Sequence, residues 1–72
     1  MVSKDELLVS EIISARWDEA IKNPDIARWR SLAYFVGDIA DKMIEADPHS
    51  IQGYAMRGIS VEAHKRYMEM MP

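Results

Sequence analysis

Cysteine is absent from this chain of 72 residues, so disulfide bonds and thiolate metal sites are both excluded. Long apolar runs are absent as well. Uninterrupted stretches such as Ala33–Gly37 are short, whereas a membrane-spanning helix needs about 20 apolar residues. The first residues, Met-Val-Ser-Lys-Asp-Glu, place acidic side chains where a signal peptide carries its basic and apolar regions. We therefore expect a cytoplasmic protein that begins at Met1 and has no membrane partner.

Basic residues are fewer than acidic residues. The chain has 9 lysines and arginines against 12 acidic residues, which gives a net charge of −3. Nonspecific binding to nucleic acid or to an anionic membrane depends on clustered positive charge. The negative net charge therefore disfavours nucleic acid as a partner, unless a local basic patch overrides it. Another protein, or a second copy of this chain in a homodimer, is the partner that we expect.

Recognisable catalytic motifs are also missing. The sequence contains no glycine-rich phosphate loop, Walker motif or HExxH string. Of its two histidines, His49 follows Pro48, which breaks the helical spacing to Glu45, and His64 has no third ligand near it in sequence. We therefore expect no catalytic residue, no metal site and no cofactor, and a protein that is not an enzyme.

Helical periodicity is what the sequence does contain. A first helix is predicted over residues 4–22, opened by a capping box of Ser3 and Glu6. Proline at the first helical position after a capping residue predicts a second helix over residues 24–46. Its apolar residues recur at alternating spacings of three and four: Ile26, Trp29, Leu32, Ala33, Val36, Ile39, Ala40, Met43 and Ile44.

The C-terminal third allows two interpretations. Asp47-Pro48 repeats the cap-then-proline pattern and predicts a third helix over residues 48–57. Gly58 and Ser60 are typical of a helix end and the next cap, which predicts a fourth helix over residues 60–70. The competing interpretation is one continuous helix from Pro48 onward. Ile51, Tyr54 and Ala55 give the third helix a short apolar face, and the fourth helix would carry Val61, His64, Tyr67 and Met68 on one face.

The predicted fold is all-α: a single domain over residues 1–72, formed by a small bundle of three to four helices built on an antiparallel helical hairpin. The first two helices are expected to form the hairpin, because only a short turn joins them. Trp17 and Trp29 lie near this turn and are expected to pack together in the core. Arg28 is expected to pair with Asp25 or Glu19.

The C-terminal segment carries two family resemblances. Gly58-Ile59-Ser60, followed by Arg66, resembles the turn and recognition helix of helix-turn-helix DNA-binding proteins. That resemblance implies a DNA-binding regulator in which Val61, Glu62 and Lys65 face the major groove. Asp47-Pro48, followed by apolar and aromatic residues, is similar to the junction between two tetratricopeptide repeats, and implies helix-hairpin packing.

The leading functional hypothesis is a small non-enzymatic protein–protein interaction module that binds and modulates a larger protein. Such a role would suit an accessory protein of a phage or mobile element. The wide apolar stripe of the second helix suggests homodimerisation or docking through that helix. The alternative is a helix-turn-helix-like DNA-binding regulator that uses segment 51–68. The candidate partner-contact residues are basic, aromatic and methionine side chains near the C-terminus: Arg57, Lys65, Arg66, Tyr67, Met70 and Met71.

Overall fold

The computed structural model describes the backbone of residues 4–72 and the side chains of residues 8–72. This part of the chain forms three helices, α1 (Lys4–Lys22), α2 (Ile26–Ala46) and α3 (Ile51–Met70). The all-α prediction is therefore confirmed, with three helices in the described residues and not four. The proposed capping box of Ser3 and Glu6 lies outside the described side chains.

Helix α3 is continuous, so the predicted turn at residues 57–60 is wrong, as is the division into helices 48–57 and 60–70. No described glycine has a positive φ angle, so Gly58 does not end a helix. Ser60 does not cap one either, because its hydroxyl donates a hydrogen bond to the carbonyl oxygen of Ala33, at 2.8 Å. A glycine inside a helix costs about 1 kcal/mol relative to alanine, and the tertiary contacts of α3 outweigh this cost.

The second and third helices begin later in the chain than residues 24 and 48, the starts that the prolines predicted. Asp25 caps α2, and its carboxylate accepts a hydrogen bond from the amide of Ala27 at 3.2 Å. Ser50 caps α3, and its hydroxyl accepts one from the amide of Gly53 at 2.9 Å. Asn23-Pro24 and Asp47-Pro48 therefore lie in the turns before the helices. The capping residues are Asp25 and Ser50, whose side-chain oxygens accept hydrogen bonds from free amides in the first turn of each helix.

The core is centred on α2, and its apolar periodicity is confirmed. The side chains of Val36 and Ala40 are fully buried between the other two helices. Ile13 and Ala20 of α1 and Met56 and Ala63 of α3 enclose them. The remaining buried apolar side chains all lie on α2: Trp29, Leu32 and Ala33.

Helices α2 and α3 pack more closely than any other pair, so the tight hairpin is α2–α3 and not the predicted α1–α2. Small residues make this approach possible. A Cβ atom added to Gly53 would lie 2.8 Å from Cγ1 of Ile44, and one added to Gly37 would lie 2.9 Å from the hydroxyl oxygen of Ser60. Glycine at these positions lets the two backbones approach to a distance that larger residues would prevent.

Helix α1 covers this pair through larger side chains. Trp17 packs edge-on against Trp29, with ring centroids 5.1 Å apart and planes inclined by 83°. The predicted tryptophan pair is therefore confirmed, and such a contact contributes about 0.5–1.5 kcal/mol beyond simple burial. The predicted pairing of Arg28 with Glu19 is also confirmed, at 2.9 Å. Because bulky rings separate α1 from α2, these helices lie further apart than α2 and α3 do.

We predict opposite effects for alanine at two glycines of α3. Gly58→Ala should stabilise the fold by about 0.5–1 kcal/mol, because its Cβ would meet nothing within 4 Å and alanine favours a helix. Gly53→Ala should destabilise it by about 1–3 kcal/mol, because its Cβ would overlap Ile44. Urea unfolding followed by circular dichroism measures both. Destabilisation by Gly58→Ala would contradict a continuous α3.

Candidate interaction surfaces

The six candidate contact residues do not form one surface. They lie on α3 or just after it, but their side chains leave the helix on different sides. Arg57 turns toward α2, where its guanidinium lies 3.0 Å from a carboxylate oxygen of Asp41. Tyr67 is half-buried against the core, with its ring 5.4 Å from that of His64. Lys65 is exposed on the outer side of α3.

Arg66 lies over the tryptophan pair. Its guanidinium carbon is 5.3 Å from the ring centroid of Trp17 and 5.1 Å from that of Trp29. Glu62, one turn earlier on α3, holds the same guanidinium at 3.5 Å. A cation placed over aromatic faces contributes about 0.5–2 kcal/mol, depending on how far it is desolvated. Arg66 therefore joins α3 to α1 and α2.

Met70 and Met71 are exposed at the C-terminal end of the bundle. Met70 lines a groove of ≈ 290 Å³ together with Ile21 of α1 and the stem of Arg66. The groove is open to solvent, and its methionine side chain is flexible enough to adapt to a neighbouring surface.

The geometry required by the helix-turn-helix resemblance is not formed in α3. A recognition helix has to start at a turn so that its first residues reach the base edges. Here the helix passes through Gly58 without interruption. Two of the three basic residues expected on an exposed face are engaged within the bundle, Arg57 with Asp41 and Arg66 with Glu62.

A continuous apolar stripe lies on the side of α3 that faces away from the bundle. We call it the outer stripe. Its residues follow one another at alternating spacings of three and four, as in the a and d positions of a coiled coil: Ile51, Tyr54, Gly58, Val61, Lys65 and Met68. The four large apolar members are exposed by 85% (Ile51), 51% (Tyr54), 63% (Val61) and 50% (Met68).

The apolar faces predicted for this segment do not coincide with the buried side of α3. Ile51, Tyr54, Val61 and Met68 stay at least half exposed, whereas Tyr67 packs partly against the core. The buried face of α3 is formed instead by Gly53, Met56 and Ala63, with Ser60 half-buried among them. Small residues carry little hydrophobic signal, so the pattern of large apolar residues pointed to the wrong side of the helix. The regular three-four spacing that continues through Gly58 could have indicated the outer stripe. The turn assumed at residues 57–60 divided this pattern into two parts.

The apolar stripe of α2, in contrast, is used within the chain. Its central residues are buried by α1 and α3, so homodimerisation through this stripe has no structural basis. Tyr34 is the large apolar side chain of α2 that stays well exposed, at 64%. It faces Val61 across a groove of ≈ 410 Å³ between α2 and α3, and so extends the outer stripe sideways.

Other grooves between the helices are shallow. One of ≈ 430 Å³ lies between α1 and α2, with Leu32 among its lining and the Arg28–Glu19 ion pair at its side. An open groove of this kind suits contact with another surface better than enclosure of a small molecule. Within residues 8–72, no three histidine, aspartate or glutamate side chains converge as metal ligands would.

We predict that Arg66 stabilises the fold and that Lys65 does not. Arg66→Ala should lower the free energy of unfolding by about 0.5–1.5 kcal/mol, because it removes the cation from both tryptophan rings. Lys65→Ala, the neighbouring control, should change it by less than about 0.5 kcal/mol. Urea unfolding followed by tryptophan fluorescence measures both values. An equal loss in the two variants would contradict a specific role of Arg66.

Comparison with known proteins adds no family to this description. No protein-family model, no curated protein and no solved structure matches the chain. Across the described residues, no helix has the length and apolar character needed to cross a membrane. Function must therefore be argued from the surfaces of the bundle alone.

Proposed function

We propose that this chain is a small non-enzymatic protein–protein interaction module that binds and modulates a larger protein by packing the outer stripe of α3 against a helix of that partner. The observation that carries the proposal is the stripe itself. Four large apolar side chains with at least half of their surface exposed are aligned on one helix face, at the spacing used for helix–helix contact.

The architecture supports such a role. The outer stripe lies on a helix that packs closely against α2. A rigid helix loses little conformational entropy when a partner packs on it, which favours binding. The Arg57–Asp41 ion pair and the contact of Arg66 with the two tryptophan rings attach α3 at two further levels.

The charged residues favour a protein partner over DNA. Arg57 and Arg66 each hold a carboxylate of this chain, Asp41 and Glu62 respectively. A base that is already paired contributes less to phosphate binding, which depends on the release of counterions from free positive charge. The apolar members of the stripe have no counterpart on a phosphate backbone.

We predict that one acidic substitution in the outer stripe strongly weakens binding of the partner protein. Tagged wild-type protein, Val61→Glu and Leu8→Glu are each used for affinity capture from a bacterial lysate with and without nuclease treatment, and retained proteins are measured by mass spectrometry. Leu8 is the control because it is an apolar residue exposed to a similar extent on α1. Val61→Glu should reduce recovery of the partner by about tenfold or more, because it buries a charge, and Leu8→Glu should not.

Two outcomes would overturn the proposal. Recovery of the same proteins by wild type and Val61→Glu would show that the stripe does not bind them. Recovery of DNA-associated proteins that disappears on nuclease treatment would favour the DNA-binding regulator instead. Circular dichroism of both variants establishes that each is folded before the comparison is made.

A further inference from the structure

We propose that the outer stripe also pairs with the outer stripe of a second copy of this chain, so that the free protein is a parallel homodimer joined through α3. The inference rests on the proposed function, because both require that the stripe packs against a helix. It differs in committing to one occupant, whose sequence is known.

The charges that border the stripe are arranged for self-pairing. Arg57 and His64 lie along one edge, directly before the positions of Gly58 and Lys65 in the stripe. Glu62 and Glu69 lie along the other edge, directly after Val61 and Met68. One edge therefore carries basic or neutral hydrogen-bond donors, and the other carries carboxylates.

This arrangement selects the parallel orientation. In a parallel coiled coil, a residue of the first edge faces the residue five positions further along on the second edge of the partner helix. Arg57 would face Glu62 of the second copy, and His64 would face Glu69 of the second copy. In the antiparallel orientation like edges would meet, which would place glutamates opposite glutamates and Arg57 opposite a histidine.

The residues needed for these contacts are accessible. About half of the side-chain surface of Arg57 (50%) and of Glu62 (48%) is exposed although each has a partner within the bundle. Each large apolar member of the stripe has at least half of its surface exposed, so the helix of a second copy can reach it.

Gly58 and Lys65 limit the strength of the pairing. Gly58 adds no apolar side chain at the centre of the stripe, and in the parallel orientation Lys65 of each copy faces the other. A single lysine at such a position is known to fix register and two-stranded pairing at a cost in stability. We therefore expect a dimer that dissociates on dilution.

Sedimentation equilibrium of the purified protein tests the pairing directly. We expect dimer at about 100 µM and monomer on dilution, with a dissociation constant that Val61→Glu raises by about tenfold or more. The control Leu8→Glu should leave it unchanged. A wild-type protein that stays monomeric up to about 1 mM would overturn the proposal.

A variant that should strengthen pairing is also needed, because a variant that weakens pairing could do so simply by failing to fold. Lys65→Leu replaces the facing lysines with apolar side chains and should lower the dissociation constant by about tenfold or more. Glu62→Lys combined with Glu69→Lys makes both edges basic and should raise it by a similar factor. Failure of both variants to move the constant would show that association occurs elsewhere on the surface.

Single cysteines determine the orientation, because the natural chain contains no cysteine. Ile51→Cys and Met68→Cys mark opposite ends of the stripe, about 26 Å apart along the helix. In a parallel pair each variant should form a disulfide-linked dimer by itself under mild oxidation. In an antiparallel pair neither should, and only their mixture would cross-link, which would overturn the parallel arrangement. Leu8→Cys is the control for random collision.

These measurements separate the inference from the proposed function. Purified protein that remains monomeric, together with capture of a larger protein that Val61→Glu abolishes, would refute the homodimer and leave the interaction module standing. Dimer formation without any captured partner would support the homodimer and count against the binding of a larger protein.

Discussion

The close approach of α2 and α3 is the constraint on which the rest of the structure depends. Gly53 packs against Ile44 at a distance that leaves no space for a Cβ atom. Ser60 hydrogen-bonds to the backbone of α2, at Ala33. Because small residues occupy much of the inward face of α3, four of its large apolar residues, those of the outer stripe, are left on the outside. The tight hairpin and the exposed outer stripe are therefore two consequences of one packing arrangement.

Helix α1 completes the bundle in a different way. It buries few residues, Ile13 and Ala20 foremost, and otherwise uses large rings and long cationic side chains. Arg66 reaches from α3 over Trp17 and Trp29, and Arg16 of α1 lies 4.5 Å from the ring centroid of Phe35. A chain of this length buries little apolar surface when it folds. Such contacts between planar groups therefore supply part of the stability that a larger domain would obtain from burial.

Arg57 and Arg66, two of the basic residues of α3, thus have structural partners. A sequence that places Arg57, Lys65 and Arg66 within one short segment is compatible with a DNA-binding face. The fold directs the first toward α2 and the last toward the tryptophans, and leaves Lys65 among apolar neighbours. What remains on the surface is a set of apolar side chains with charges along its edges, which is the chemistry of helix-to-helix recognition.

The sequence by itself determined the helical class, the stripe of α2 and the tryptophan pair, because these follow from periodicity and from the short turn that joins the first two helices. It left the partner of Arg28 open between Asp25 and Glu19. It did not determine that Gly58 lies within a helix, nor which side of α3 is buried. Both depend on contacts with residues far away in the chain, such as Ala33 and Ile44. Small residues acquire their meaning only when another backbone packs against them, so tertiary structure alone decided which face of α3 stays exposed.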